Sequence, residues 1–400
     1  MKFFLNLSVF ILGIGNMIPA QSQIRTVQCY PVGSPFAEPV IELGSGQQLF
    51  FSFDDLSSET NSYTYKIVHW NNSNLSSFTY LTGFFSNPLD NYEYSFNTVV
   101  PYTRFTLNLP NEEVGIKLSG NYLLQVYNDQ NPDSAVVSQR FAVASVVNST
   151  NPTFLYTSRQ LNFTVNYTGL QIYNPVRDTR VYVTQNQDPN SRRNFTPTFV
   201  RQNQLVYGNG SDNIFNGLSP FRNFQCSSLV YYTRYVKDVL KGPEGRYNFI
   251  LVPGTVPQRY IPTPDRGGNF YIEAENVQNS DLEADYIVAH FAILYPEPIP
   301  GAEVYIYGKF ADWQLLPELK MDYDAKNKAY VGQAELKQGY YDYMFAVVPS
   351  KEKKPDLVTM QNNFYQTPDE YNIRFYMYDY NVMCFRLLGY QTVGAKPMGS

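Results

Sequence analysis

The chain has 400 residues, enough for two or three domains. It contains 35 Tyr and 28 Phe residues, and with its many Thr, Val and Asn residues this composition is typical of pleated, half-buried strands. We therefore expect an all-β fold. The formal net charge is −5 at pH 7, and no basic run stands out. This charge argues against a nucleic-acid partner and favours a protein partner.

The N-terminal segment has the pattern of a signal peptide. Lys2 supplies a positive start, residues 3–15 form an apolar run, and Ile-Pro-Ala at 18–20 ends in a small residue suited to cleavage. We predict a signal peptide over residues 1–20 and an exported chain that begins near Gln21. No other stretch approaches the ~20 apolar residues that a membrane span needs, so we expect a soluble monomer without a direct membrane span.

Strand patterns follow one another at short spacing, separated by Gly, Pro, Asn and Asp clusters, which is typical of tandem β-sandwiches. In the first third of the chain we predict strands at residues 48–53, 63–70, 105–109, 120–127 and 138–143. These strands suffice for an N-terminal β-sandwich, which we place at residues 21–147.

A second set of strands follows. Residues 161–167 alternate strictly between apolar and polar, which predicts one buried and one wet face. We predict further strands at residues 181–184, 198–206, 228–235 and 247–252, and we interpret residues 185–219 as part strand and part exposed loop. The middle β-sandwich domain is placed at residues 148–284, because residues 254–268 are rich in Pro and Gly.

The third set gives a C-terminal β-sandwich, placed at residues 285–400. Its predicted strands cover residues 285–291, 303–308, 328–336, 339–348 and 371–388. Residues 270–275 are predicted to form a strand that bridges the second and third domains.

Three cysteines, Cys29, Cys226 and Cys384, are scattered along the chain. The even count and regular spacing of a disulfide scaffold are missing. Burial as small hydrophobic residues is the favoured interpretation, and one disulfide with one free thiol remains an alternative.

Residues that could carry chemistry are few. The two histidines, His69 and His290, fall on strands of different domains without a ligand at metal-binding spacing, so we predict satisfied structural roles. Acidic pairs at 54–55, 112–113 and 322–324 are interpreted as solvating turns. The Gly pair at 267–268 precedes a strand rather than a helix, unlike a phosphate loop. We therefore predict no enzyme, no catalytic residue, no cofactor and no metal.

Asp133-Ser134-Ala135 resembles the short acceptor motif for O-glycosylation in exported Bacteroidetes proteins. A turn between two strands explains the same residues equally well, so modification of Ser134 stays open.

Part of the third domain resembles the early-set sandwich of glycogen-binding modules. The similar residues are Val-Tyr-Ile-Tyr-Gly-Lys-Phe-Ala-Asp-Trp at 304–313 and Gly-Tyr-Tyr-Asp-Tyr-Met-Phe at 339–345. The resemblance implies a sugar-stacking role for Trp313. However, Met344 stands where such modules commonly have Lys, and Pro349 opens a segment where a second Trp is usual. We therefore expect the early-set fold, with Trp313 packed on its own sheet.

The end of the chain carries a second resemblance. Four short segments carry it, in chain order: Leu-Ser-Gly-Asn-Tyr-Leu-Leu at 118–124, Asp-Arg-Gly-Gly-Asn-Phe at 265–270, Asn-Phe-Tyr-Gln-Thr-Pro-Asp-Glu-Tyr at 363–371 and Phe-Arg-Leu-Leu-Gly-Tyr at 385–390. In this order the elements resemble the type IX secretion system plug proteins of Bacteroidetes. The resemblance covers nearly the whole exported chain and departs from the family pattern at residues 381–385.

This second resemblance implies a function and a partner. It implies a periplasmic protein, associated with the periplasmic face of the outer membrane, that seals the opening of the type IX translocon barrel. The sequence does not identify the loops that would enter the barrel.

Two alternatives come from other classes of protein. One is a cell-envelope carbohydrate-binding module that uses Trp313. The other is a periplasmic scaffold or peptide-binding module that adds a peptide strand to an open sheet edge.

Overall fold

A computed structural model describes residues 23–57, 61–70, 75–145, 150–155, 160–208, 213–352 and 354–394. The predicted signal peptide at residues 1–20 lies outside these ranges. About 52% of the chain is strand and 8% is helix, which confirms the all-β fold.

The described residues of the N-terminal part form eleven strands and one short helix. They are β1 (Ile24–Pro31), β2 (Val40–Glu42), β3 (Leu49–Asp55), β4 (Tyr63–His69), α1 (Ser77–Tyr80), β5 (Leu81–Gly83), β6 (Ser86–Pro88), β7 (Tyr92–Tyr94), β8 (Thr103–Leu109), β9 (Val114–Ile116), β10 (Gly120–Asn128) and β11 (Asn131–Ala144).

In the middle part, the described residues form six strands and one short helix, in the order β12 (Thr150–Leu155), β13 (Gln160–Asn166), α2 (Pro175–Asp178), β14 (Thr179–Gln185), β15 (Asp188–Phe195), β16 (Phe199–Arg201) and β17 (Gln204–Tyr207).

The remaining elements are β18 (Arg222–Gln225), β19 (Val236–Lys241), β20 (Tyr247–Leu251), β21 (Gly254–Thr255), β22 (Phe270–Ile272), α3 (Ser280–Glu283), β23 (Tyr286–Leu294), β24 (Ala302–Tyr307), β25 (Lys320–Asp324), β26 (Ala329–Lys337), β27 (Gly339–Pro349), α4 (Val358–Gln361), β28 (Glu370–Asp379) and β29 (Cys384–Gly394). Short 3₁₀ helices cover Pro243–Gly245, Lys309–Ala311 and Pro317–Leu319.

Two sheets form the N-terminal sandwich, in the orders β1-β3-β8-β7 and β2-β11-β10-β4-β6. Strand β4 shows why the two sheets pack together: its residues alternate between buried and half-buried along its whole length, so one face of the strand is apolar and needs a covering sheet. Its buried face, with Tyr65 and Ile67, meets Phe51 and Phe105 of the other sheet in one core. The small pair β5-β9 closes one end.

The middle sandwich is built from two distant parts of the chain. One sheet has the order β12-β13-β17-β16, and the other has the order β15-β14-β28-β29. Strand β14 therefore pairs with a strand from the end of the chain, for example Val181 opposite Phe375. Residues of both segments share one hydrophobic core.

The third unit is a ten-stranded sheet with the order β18-β27-β24-β25-β26-β23-β20-β19, to which β21 and β22 add at the side. Its core gathers Phe224, Phe249, Phe291, Ile306 and Phe345 from across the sheet. All three cysteines are buried and free, which agrees with their interpretation as small hydrophobic residues.

The sheets do not follow the domain boundary expected at residue 284. Strands β18 to β20 belong to the third unit, whereas β28 and β29 return to the middle sandwich. The predicted strand at residues 228–235 is also wrong, because these residues form an irregular turn before β19. Local apolar alternation predicts that a segment is a strand, but it does not specify the partner strand.

Candidate interaction surface

Trp313, the candidate for sugar stacking, lies inside the protein. Its exposed fraction is 4%. The ring centroid is 5.3 Å from that of Tyr307 and 6.2 Å from that of Phe221, and the Trp313 carbonyl accepts a hydrogen bond from Asn190 Nδ2 at 2.9 Å. The indole therefore packs between strands and leaves no open face for a sugar ring.

The glycine pair at 267–268 closes over this tryptophan. Gly268 has a φ of +87°, and a Cβ atom placed there would lie 3.0 Å from the Trp313 ring and 2.8 Å from Phe221. Only glycine combines this backbone conformation with such a close approach. The motif at 265–270 is therefore a structural turn that leads into β22.

Asp342 holds this turn in place. Its carboxylate accepts hydrogen bonds from the backbone N–H groups of Arg266, at 2.7 Å, and Gly268, at 3.0 Å, and from the Tyr340 hydroxyl at 2.8 Å. Burial raises the pKa of Asp342 to about 7, and the nearby Asp265 carboxylate contributes to this rise.

The histidines lie on different sandwiches. His69 is buried against the ring of Tyr122, and its ring nitrogens have no hydrogen-bond partner in the described part of the chain, so the expectation of a satisfied His69 is wrong. Burial lowers its pKa. His290 Nε2 shares a 2.8 Å hydrogen bond with Asn248. Within the described ranges, no group of three acidic, His or Cys residues is arranged to hold a metal.

Asp54 corrects the interpretation of the acidic pair at 54–55. It was expected to solvate a turn, but its side chain is fully buried within β3. The carboxylate accepts from Lys337 Nζ at 2.6 Å, the Tyr286 hydroxyl at 2.8 Å and an Arg104 guanidinium nitrogen at 3.2 Å. An aspartate inside the apolar pattern of β3 was the signal for a buried partner, because an unpaired buried carboxylate is very costly.

Lys337 is the partner from the third unit, and its side chain is also fully buried. Burial lowers its pKa to about 8, while the charge of Asp54 acts in the opposite direction. The ammonium also donates to the Asp281 carbonyl at 2.7 Å and lies 3.9 Å from the ring centroid of Tyr102. Since Asp54 and Tyr102 belong to the N-terminal sandwich, this buried ion pair joins two units.

Two further contacts strengthen the same junction. Asp285 accepts hydrogen bonds from the backbone N–H groups of Val99 and Val100, at 2.9 and 3.1 Å. The Tyr102 hydroxyl donates to the Ala284 carbonyl at 3.1 Å. The segment that leads into β23 is thus held by the N-terminal sandwich.

The C-terminal hairpin attaches the middle sandwich to the N-terminal one. Arg374 of β28 pairs with Glu38 at 2.8 Å, and the Tyr376 hydroxyl donates to Asn121 at 2.9 Å. With the Asp54 junction, these contacts interlock the sheets into one body.

Exposed aromatic side chains cluster in the segment between β4 and β6. We define the first aromatic surface as Trp70, Phe78, Phe84 and Phe85, all exposed, with exposed fractions of 79% for Phe78 and 76% for Phe84. The solvent exposure of several large apolar side chains in so short a segment is typical of a protein contact site.

The backbone beneath this surface is fixed. Tyr80 is buried and donates from its hydroxyl to the Ile67 carbonyl at 3.3 Å. Gly83 ends β5 with a φ of +81°, and a Cβ atom there would lie 1.8 Å from the Glu113 carbonyl oxygen. Because Gly83 allows β5 to pair closely with β9, the neighbouring Phe84 projects from an anchored strand end.

A second exposed group occupies the turn before β19. We define the second aromatic surface as Val230, Tyr231, Tyr232 and Tyr235, each exposed to solvent. The Ser228 hydroxyl accepts from the backbone N–H of Tyr231 at 3.1 Å, which shapes the turn. This surface replaces the strand that was expected over residues 228–235.

The fold and these surfaces define a class of protein: an all-β protein of interlocked sheets with aromatic side chains on exposed loops. Across the described ranges, none of the helices has the length and apolar character required to cross a membrane.

Comparison with known proteins narrows this class. Residues 24–145 match the family model described as the Type 9 secretion system plug protein 1st domain. The chain is also similar to a hypothetical protein from Parabacteroides merdae ATCC 43184, whose crystal structure was determined at 2.30 Å. The two share 29% identity over 94% of this chain and 98% of that chain, with a TM-score of 0.90. No curated protein matches the chain significantly.

The match of residues 24–145 supports the type IX secretion plug family. The match to its first domain indicates a role in type IX secretion and a location in the cell envelope.

Proposed function

We propose that the protein is a periplasmic plug that seals the periplasmic opening of the type IX translocon barrel in the outer membrane. The observation that carries this proposal is the match of residues 24–145 to the first domain of the plug family. The resemblance of residues 363–371 and 385–390 to the closing segment of the same family extends it towards the C-terminus.

The interlocked architecture supports a sealing role. A plug for a wide opening must stay folded and keep its shape, because a body with loosely tethered domains would let solutes pass between them. The Asp54–Lys337 ion pair is buried on both sides, and the Arg374–Glu38 pair adds a second junction at 2.8 Å. Both junctions oppose separation of the sandwiches.

The first aromatic surface supplies the contact with the barrel in this proposal. Buried aromatic anchors dominate the binding energy of many protein interfaces, and Phe78 and Phe84 are exposed on an anchored backbone. We expect the Phe78 and Phe84 side chains to become buried against the inner wall or rim of the barrel.

The sealing role is tested by antibiotic uptake. Uptake of an antibiotic too large to cross the outer membrane is measured in a strain that lacks the protein but keeps the translocon, and again in a strain that lacks both. We expect increased uptake in the first strain, because the barrel is left open, and restored exclusion in the second. Unchanged uptake in the first strain would show that this chain is not the seal.

The contact is tested by capture from outer-membrane extract. The purified protein should recover the translocon barrel, and the double variant Phe78→Ser with Phe84→Ser should recover at least tenfold less. The matched control is Phe199→Ser, because Phe199 is also exposed but lies on edge strand β16. If the double variant captured as much barrel as the control, the first aromatic surface would be excluded as the barrel contact. If the unmodified protein captured no barrel, the plug proposal itself would be contradicted.

A further inference from the structure

A cavity of about 890 Å³ lies where the three units meet. Cys29 and Arg140 line it from the N-terminal sandwich, Tyr182 from the middle sheet, Lys309 from the third unit and Tyr376 from the C-terminal hairpin. Its volume falls within the ~300–1,000 Å³ of typical small-molecule sites, which occur preferentially between domains.

Cationic side chains outnumber acidic ones in the wall of this cavity. The acidic residues are Glu38 and Asp312, and each already forms an ion pair at 2.8 Å, with Arg374 and Arg140 respectively. Three more cations line the cavity and have no ion pair in the described part of the chain, namely Lys309, Arg192 and Lys354. The cavity therefore carries an excess of positive charge.

Lys309 is the most enclosed of these cations. It stands on the 3₁₀ helix Lys309–Ala311, and its ammonium donates to two neutral amide oxygens, Gln187 Oε1 at 2.7 Å and Asn269 Oδ1 at 2.6 Å. An ammonium has three N–H donors, so one stays available. Burial lowers the pKa of Lys309 to about 8, as expected for a cation without a directly bound carboxylate.

Two other polar groups in the wall lack partners. Thr184 has an exposed fraction of 2%, and its hydroxyl makes no hydrogen bond in the described ranges. The Nε–H of Arg374 is likewise buried and unpaired there. Buried polar groups nearly always find a partner, so these two donors at the cavity wall are available to a ligand that supplies an acceptor.

Aromatic rings form the rest of the wall. Tyr182 and Tyr376 meet edge to face with ring centroids 5.5 Å apart, and the Arg192 guanidinium lies 4.9 Å from the Tyr182 ring centroid. Trp70 and Phe385 also line the cavity. This wall favours a ligand with an aromatic or apolar body in addition to its charge.

We propose that this cavity binds a small organic anion, a molecule that carries a carboxylate or phosphate group on an aromatic or apolar body. The anionic group would accept from Lys309, Thr184 and Arg374, while the apolar body would lie against the tyrosine rings. Such a site goes beyond sealing a barrel, and it requires neither the barrel nor a membrane.

The test is isothermal titration calorimetry on the purified protein. The probes are phenyl phosphate, benzoate, phenol and inorganic phosphate. We expect one site per chain for at least one of the two aromatic anions, and at least tenfold weaker binding of phenol and of inorganic phosphate. The stronger of phenyl phosphate and benzoate identifies the preferred anionic group. Failure of both aromatic anions to bind, or equal binding of phenol or inorganic phosphate, would overturn the proposal.

Variants at the cavity wall test whether the anion binds in this cavity. Lys309→Met should weaken binding of the preferred anion at least tenfold, and Arg192→Gln should weaken it several-fold. Because Arg192 is exposed, its variant keeps the test valid if Lys309→Met fails to fold. The matched control, Lys326→Met, removes an exposed lysine away from the cavity. If Arg192→Gln and a folded Lys309→Met both bound as tightly as the control, the site would lie elsewhere. This result would leave the plug proposal intact, since uptake and barrel capture are measured separately.

Discussion

Asp54 accepts hydrogen bonds from side chains of two different units, and both it and Lys337 are fully buried. A buried ion pair contributes little net stability compared with a well-packed apolar pair, but removal of one partner leaves an uncompensated charge. The pair therefore acts mainly by making any other arrangement of the two units unfavourable.

Asp54→Asn should lower the free energy of unfolding by ~3–5 kcal/mol, because Lys337 and Arg104 would stay buried without their carboxylate. Chemical denaturation followed by tyrosine fluorescence measures the change. The matched control is Glu112→Gln at an exposed acidic residue, for which we expect a change within ~0.5 kcal/mol. Equal stabilities of the two variants would contradict the role assigned to Asp54.

Asp342 predicts a pH dependence of stability. Its pKa is about 7 in the folded protein and 3.8 in a model compound. Between these values the folded state retains a proton that the unfolded chain has released, so stability falls as pH rises through this window. Asp342→Asn should make the loss of stability between about pH 4 and pH 7 smaller.

The exposed residue Asp133 provides the control, since Asp133→Asn should leave the slope unchanged. Asp188 and Asp265 also have raised pKa values because of burial, so part of the slope should persist in Asp342→Asn. A slope identical to that of the unmodified protein would show that Asp342 does not titrate in this range.

Among the elements, the 3₁₀ helix Lys309–Ala311, which is followed by Trp313, shows how a local resemblance in sequence can mislead about a binding site. The sequence around Trp313 is similar to a sugar-binding module, yet the turn directs the indole between strands. The position of the ring depends on Phe221 and on the turn at Gly268, which are remote in sequence. No pattern local to Trp313 contains this information.

Trp313→Ala should lower the free energy of unfolding by ~3–5 kcal/mol, because it leaves a cavity in a packed cluster. Trp70→Ala is the matched control, since Trp70 is about half exposed, and it should cost less than ~1 kcal/mol. Thermal and chemical denaturation measure both changes, and titration with a soluble glucan checks for sugar affinity. A folded Trp313→Ala protein of unchanged stability that had lost glucan binding would reverse this assignment.

Strands with strict alternation were predicted well from the sequence. Strands β10 and β13 match their expected positions closely, because one face of each is buried and the other is not. The segment at 371–388 was predicted as one continuous pattern, but it is a hairpin whose turn is stabilised by the Asp379 carboxylate accepting from the Asn381 N–H. Residues 228–235 were misassigned because exposed Val and Tyr side chains in a turn look like a strand in sequence.

At the scale of the whole molecule, the sequence predicted a tandem series of sandwiches but not their interleaving. Pairing of β14 with β28 and of β18 with β27 crosses the expected boundary. Such pairings are decided by packing between residues far apart in the chain. The buried junction at Asp54 and the cavity at the meeting of the three units were missed for the same reason.

Interleaved sheets and buried junctions predict a single cooperative unfolding transition. Differential scanning calorimetry should show one peak, with a calorimetric enthalpy close to the van't Hoff enthalpy, because no sandwich can open without exposing buried groups at its junction with another. Two well-separated peaks would show that the units unfold independently.

The place of β28 and β29 in the middle sandwich also sets the order in which the protein is completed. The N-terminal sandwich uses strands from residues 24–144 alone, so it can form before the later strands are available. Strand β14 has to wait for residues 371–377 before it gains its second neighbour. This sheet of the middle sandwich therefore stays incomplete until the segment that starts at Glu370 is present, and a premature stop shortly before Glu370 would remove both of its last two strands.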